Sequence, residues 1–143
     1  MHAPLSTIMT TKLKTVAPSD PITMVKDLFE NNRFHHVPVV RFKELVGMVS
    51  KTDFLLVKHS PLEGAPLDED VLAKHRVEEI MTTRLAKLSP NDQIGTAAEV
   101  LLSNLFHAVP IVEDGELVGL VTTFDILKYS LHQAYPNTKT IFE

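Results

Sequence analysis

Two short stretches place side chains that could do chemistry together: Ser50-x-x-Asp53 and, seventy-two positions later, Thr122-x-x-Asp125. Each follows an apolar run, Glu44-Leu45-Val46-Gly47-Met48-Val49 in one case and Glu116-Leu117-Val118-Gly119-Leu120-Val121 in the other. The pattern reads as a strand, then a hydroxyl, then a carboxylate three residues on, at the mouth of a helix. One explanation is structural. A hydroxyl followed by an acid at that spacing is a capping box, with Asp in place of the usual Glu or Gln. The other explanation uses the same geometry. A helix start offers unpaired N–H groups and the positive end of its dipole, which favour a phosphate. The hydroxyl can donate to that phosphate, and the carboxylate can accept from two sugar hydroxyls. A ribose bearing a phosphate matches both.

Other polar residues recur at the same offset. His35 and His107 precede the Val37-Pro38 and Val109-Pro110 pairs; His36 follows His35 where the second copy has Ala108. An imidazole there suits a phosphate as it protonates. Lys12 and Arg84 follow Thr11 and Thr83, either as solvated cations or as further anion contacts. A metal site is not expected, because there is no cysteine and no His-x-x-Glu-type cluster to complete a coordination shell. Catalysis is not argued either. No nucleophile stands beside an evident base, spacing alone does not define a triad, and the five glycines form no phosphate loop. The chain reads as a binding protein rather than an enzyme.

The elements that must position these turns come from a duplication. Residues 5–56 align with 77–128 without a gap, and 21 of the 52 pairs are identical, too many for chance. Two copies are too few for a solenoid, so a compact pseudo-two-fold pair is expected. Within a copy, Lys14 to Ala17 is extended. Asp20 is placed to cap a helix with Pro21 in its first position, and Asp92 to cap its equivalent. Ile22, Val25, Leu28 and Phe29 form one apolar face; Ile94, Ala97, Ala98, Leu101, Leu102 and Leu105 form the other. Val37–Val40 and Val109–Val112 are strands, with Pro at the second position suggesting an edge or a strand start. Glu113-Asp114-Gly115 is a tight hairpin turn, while Arg41-Phe42-Lys43 lacks Gly and suggests a different turn. Each copy is therefore β-α-β-β-α, an α/β (α+β) fold with mixed sheets.

Size and composition fit this. A chain of 143 residues holds one domain or two small halves that need each other. The net charge of −4 offers no basic footprint for nucleic acid. The absence of cysteine suits a reducing cytoplasm. No signal-peptide pattern and no membrane-length apolar run is present. The expected organisation is a first repeat over 1–59, a linker over 60–76, a second repeat over 77–134 and a tail over 135–143. Asp68-Glu69-Asp70 before Val71-Leu72-Ala73-Lys74 suggests a short capped helix with a solvated acidic face.

The order Ile8-Met9-Thr10-Thr11, Thr15-Val16-x-Pro18, Val37-Pro38-Val39-Val40 and Gly47-x-Val49-Ser50-x-x-Asp53, repeated in the second copy, resembles the CBS domain, named for cystathionine beta-synthase. The resemblance covers the chain apart from the linker and tail, and is to a stand-alone bacterial or archaeal tandem pair. It implies a Bateman module of two repeats with two clefts, a disc-shaped homodimer, and regulation of a partner protein by adenosine compounds (AMP, ADP, ATP or S-adenosylmethionine). No cofactor is implied beyond that nucleotide. It also implies roles: Asp53 and Asp125 on ribose hydroxyls, Ser50 and Thr122 on phosphate, adenine against strand backbone. One cleft would join Ser50 and Asp53 to Thr83, Arg84, Phe106, His107 and Ala108. The other would join Thr122 and Asp125 to Thr11, Lys12, Phe34, His35 and His36. The alternative expectation is an interaction scaffold that binds no nucleotide.

Overall fold

The computed structural model describes residues 1–59, 68–104 and 106–137. Its elements are α1 (Ile22–Asn31), β1 (His36–Arg41), β2 (Glu44–Ser50), α2 (Lys51–His59), α3 (Glu69–Lys74), α4 (Ile94–Asn104), β3 (Ala108–Glu113), β4 (Glu116–Thr122) and α5 (Thr123–Ala134). Short 3-10 turns cover Leu5–Thr7 and Val77–Glu79. The fold is mixed α/β with antiparallel strand pairing.

The chain forms two compact units, and they are not composed like the repeats. The first unit holds Leu13–Leu85 with Asp114–Leu117; the second holds Met1–Lys12, Ala86–Glu113 and Val118–Glu143. In the first unit, Ile22 N donates to His75 O at 3.0 Å and Val77 N to Asp20 O at 2.8 Å. In the second, Ile94 N donates to Ala3 O at 3.0 Å and Leu5 N to Asp92 O at 2.8 Å. The opening segment of each copy thus satisfies the helix start of the other copy. These backbone donors and acceptors must be paired once buried, and here the pairing reaches far along the chain.

This pairing corrects the expected caps. Asp20 and Asp92 do not cap α1 and α4. Asp20 Oδ2 accepts from Ala17 N, and Asp92 Oδ2 from Ser89 N, each at 2.7 Å, closing the turn ahead of the helix. Pro21 takes the N-cap position of α1 in an extended conformation, with no side-chain cap bond. Asp68 does cap, accepting from Val71 N at 3.0 Å at the start of α3, as its spacing suggested.

The apolar faces build one core per unit. Ile22, Val25 and Phe29 of α1 meet Val37, Val39, Val49 and Leu72 in the first; Ile94, Ala97 and Leu101 of α4 meet Leu5, Val109, Ile111 and Val121 in the second. Leu102 departs from expectation and is 77% exposed. It follows Leu101 by about 100° around α4, and only the Leu101 side has a layer to pack against. Ala98 is half-buried, and Leu105 lies outside the described residues.

Pro38 and Pro110 lie in β1 and β3, the outer strands of the order β1-β2-β4-β3, as the edge reading expected, and both are buried. Pro38 O accepts from Val16 N and Val40 N donates to Val16 O, so Pro38 turns its missing N–H toward the Val16 segment. Pairing there stops at one bridge. Pro110 does the same with Leu88. This explains why the first extended piece of each copy never becomes a full strand.

Candidate functional site

Each hydroxyl–acid turn sits where a strand passes directly into a helix. In the first unit β2 ends at Ser50 and α2 begins at Lys51; in the second β4 ends at Thr122 and α5 begins at Thr123. Ser50 and Asp53, like Thr122 and Asp125, are half-buried. The strand before each turn is held from the side by the opposite copy's opening segment. Met48 and Thr82 exchange both backbone bonds at 2.8 and 2.9 Å, and Leu120 and Thr10 exchange theirs at 2.9 and 3.0 Å. Gly47 and Gly119 make that approach possible. A Cβ at Gly47 would stand 2.6 Å from Met81 Sδ, and one at Gly119 would stand 2.6 Å from Met9 Sδ. The spacing of those glycines and methionines was visible in the repeat, but nothing in it showed that they touch.

The hydrogen bonds of the two turns differ. Asp53 N donates to Ser50 Oγ at 3.0 Å. Among the described residues, no hydrogen bond or ion pair reaches the Asp53 carboxylate. In the second unit the capping box is closed in both directions. Asp125 N donates to Thr122 Oγ1 at 3.2 Å, Thr122 N donates to Asp125 Oδ2 at 2.9 Å, and the Thr122 hydroxyl donates to the same oxygen at 3.1 Å.

The histidines act first through their backbone. Lys51 N donates to His35 O at 2.7 Å, and Thr123 N to His107 O at 3.1 Å. With Asp53 N engaged as well, two of the open N–H groups at the start of α2 are taken internally, and with Thr122 N and Asp125 N engaged, three of the four at the start of α5. The imidazoles of His35 and His107 are exposed. His36 is the register partner of Ser50 across β1 and β2. Ala108 opens β3, and Phe106 just ahead of it is exposed. Phe34 is half-buried, edge-on to Phe29 with ring centroids 6.3 Å apart. Thr11, Lys12, Thr83 and Arg84 are exposed. Their bridges are antiparallel, so the chain beyond Thr82 runs back along β2, away from Ser50, and the chain beyond Thr10 runs back along β4, away from Thr122.

This geometry, a hydroxyl–acid turn repeated on two hairpins, carries a family signature. The sequence model of the CBS domain matches residues 5–60 and again residues 77–132. The chain belongs to the CBS-domain family. An inosine-5'-monophosphate dehydrogenase of Thermoplasma acidophilum is 30% identical over 122 residues, covering 85% of this chain and 22% of that protein. The CBS domain-containing protein YhcV of Bacillus subtilis is 28% identical over 118 residues, covering 82% of this chain and 79% of that one. The chain thus spans about a fifth of the dehydrogenase and most of YhcV. The solved structure of CBSX2 in complex with AMP superposes with a TM-score of 0.77 at 24% identity, covering 92% of this chain and 98% of that one. In this CBS pair no three acidic or histidine residues converge as metal ligands among the described residues, and no described helix is long and apolar enough to cross a membrane.

Proposed function

We propose that the chain is a regulatory module whose hydroxyl–acid turns bind an adenosine compound, AMP, ADP, ATP or S-adenosylmethionine, and pass the binding state to a partner protein. The observation that carries this reading is the half-buried Ser50–Asp53 turn: a hydroxyl with its proton to give and a carboxylate that no hydrogen bond or ion pair reaches among the described residues. That pair complements a phosphate beside a ribose diol. Family membership supports it, as does a solved relative that holds AMP. Ser50, Asp53, Thr122 and Asp125 are the primary contacts in this reading. Thr11, Lys12, Phe34, His35, His36, Thr83, Arg84, Phe106, His107 and Ala108 are the further ligand-binding residues that this reading takes from the family resemblance.

Calorimetric titration with each of the four compounds tests the proposal. Asp53→Ala and Asp125→Ala are expected to weaken binding, and a ligand at 100 times its dissociation constant to raise stability by about 2.7 kcal/mol. No heat from any of the four would falsify it.

A second reading, the module as a homodimeric scaffold, is favoured by α5. None of its residues is fully buried, and Phe124, Leu127, Leu131 and the following Tyr135 are exposed along one stripe. An apolar stripe of that kind marks an association surface. Sedimentation of Leu127→Glu with Leu131→Glu is expected to show a smaller species than the unmodified chain; an unchanged sedimentation coefficient counts against the dimer.

A further inference from the structure

The hairpin end of the first unit gathers side chains that the hydroxyl–acid turns do not use. β1 and β2 close through Arg41, Phe42, Lys43 and Glu44, all of them exposed. Phe42 and Lys43 hold φ of 49° and 71°, a corner that the second hairpin makes with Asp114 and Gly115. Left-handed backbone is unfavourable for both side chains. The Phe42 ring is 97% exposed, so no packing within the chain offsets that strain. A strained position carrying a bare aromatic ring points to a contact outside the chain.

The charges around Phe42 say what kind of contact. Lys43 O accepts from Leu117 N at 3.1 Å, and Glu44 is the register partner of Glu116. Residues directly opposite share a face of the sheet, so two carboxylates stand side by side, an unfavourable pairing. Arg41 lies opposite Glu44 on the other side. Among the described residues, no ion pair or side-chain hydrogen bond reaches Arg41, Lys43, Glu44, Asp114 or Glu116. Across this end the charge therefore runs from positive at Arg41 and Lys43 to negative at Glu44, Glu116 and Asp114, with Phe42 on the positive side.

We propose that this tip docks onto the same tip of a second copy of the chain. A two-fold axis along the strands sets the positive side of one tip against the negative side of the other, and the reverse. Each Glu44–Glu116 pair then meets the other copy's cations, and each Phe42 ring is covered. A partner of one sign alone would be repelled by part of the tip, so an acidic protein or an anionic lipid surface fits less well. A handful of residues per side falls far short of the roughly 20–30 of a stable interface, so the contact is transient and grows with concentration. It is separate from α5 and does not depend on nucleotide binding.

Sedimentation velocity over rising protein concentration tests it, with the full chain carrying Leu127→Glu and Leu131→Glu so that α5 does not contribute. The expected sedimentation coefficient climbs with concentration, and climbs less in high salt. Phe42→Ser should weaken the association about tenfold or more. Arg41→Glu with Lys43→Glu in one chain, and Glu44→Lys with Glu116→Lys in another, should each abolish self-association, and mixing the two chains should restore it. Circular dichroism confirms that each variant is folded. A coefficient independent of concentration, a climb that Phe42→Ser leaves unchanged, or charge-reversed chains that fail to pair when mixed overturns the proposal. Capture of the chain by phosphatidylserine vesicles without self-association assigns the tip to lipid and overturns it as well.

Discussion

The two hairpins make the same corner from different material. Asp114 and Gly115 turn with φ of 51° and 81°, and Phe42 and Lys43 with φ of 49° and 71°. Both are the left-handed pair of a two-residue type I′ turn, the form that matches the twist of the flanking strands. Asp-Gly adopts it readily. Phe-Lys does so against the side-chain sterics that disfavour positive φ, and Phe42 ends up 97% exposed at the tip. The expectation that the first turn would differ for lack of a glycine was therefore wrong. The comparison teaches that strand pairing imposes the turn, and the turn residues decide only how much strain comes with it. The units differ again behind α1. There α3 has no counterpart in the other copy among the described residues, and it contributes the buried Leu72.

Leu72→Ala should give the largest effect, a loss of about 2–5 kcal/mol in a denaturant melt. A loss under 1 kcal/mol would mean α3 is an accessory and the first unit stands without it. Next come Gly47→Val and Gly119→Val. Each forces a side chain against a methionine already within contact distance, and should cost about 1–3 kcal/mol. The two glycines occupy matching places, so similar losses are expected; a large gap between them would break the symmetry of the paired bridges. Replacing Phe42-Lys43 by Asn-Gly should raise stability by about 1–2 kcal/mol as the left-handed strain is relieved. Unchanged stability would show that the strain is absorbed elsewhere.

The smallest effect concerns Glu79, which has Thr7 at the matching place in the other copy. The Arg76 backbone N–H, and then the His75 side chain with Nδ1 2.9 Å away, hold the Glu79 carboxyl below its ordinary 4.5. A lowered carboxyl stabilises the fold above its ordinary value, and that contribution disappears as pH falls through the lowered one. Glu79→Gln should therefore flatten the acid side of a stability–pH curve below about 4.5 and leave stability little changed once the pH lies below the lowered value. An unchanged acid slope would remove this difference between the units.

Much of this was readable from the residues. The repeat, the strand pairs, the α1 and α4 faces and the hydroxyl–acid turns all follow from spacing. The partners of the opening segments were not readable. Matching residues in two copies make the same bonds whether an opening serves its own copy or the other, so periodicity cannot distinguish the two. The caps were missed for a related reason. Asp20 and Asp92 satisfy a turn, and the helix donors they were expected to take go to His75 and Ala3, carbonyls far away in sequence. The difference between the two turns was also hidden. Ser50 and Thr122 are chemically alike, and the turns are separated by the two bonds onto Asp125 Oδ2, which have no equivalent at Asp53 among the described residues.

The traded openings carry a consequence for how the chain can be cut. Residues 60–67 fall within the span of the first unit, and each piece left by a nick there holds segments that both units require. A proteolysed sample should travel as a single species on a native gel and separate into two bands only in denaturant. Neither fragment expressed alone contains everything one unit needs, so mixing the two is the route to refolding either.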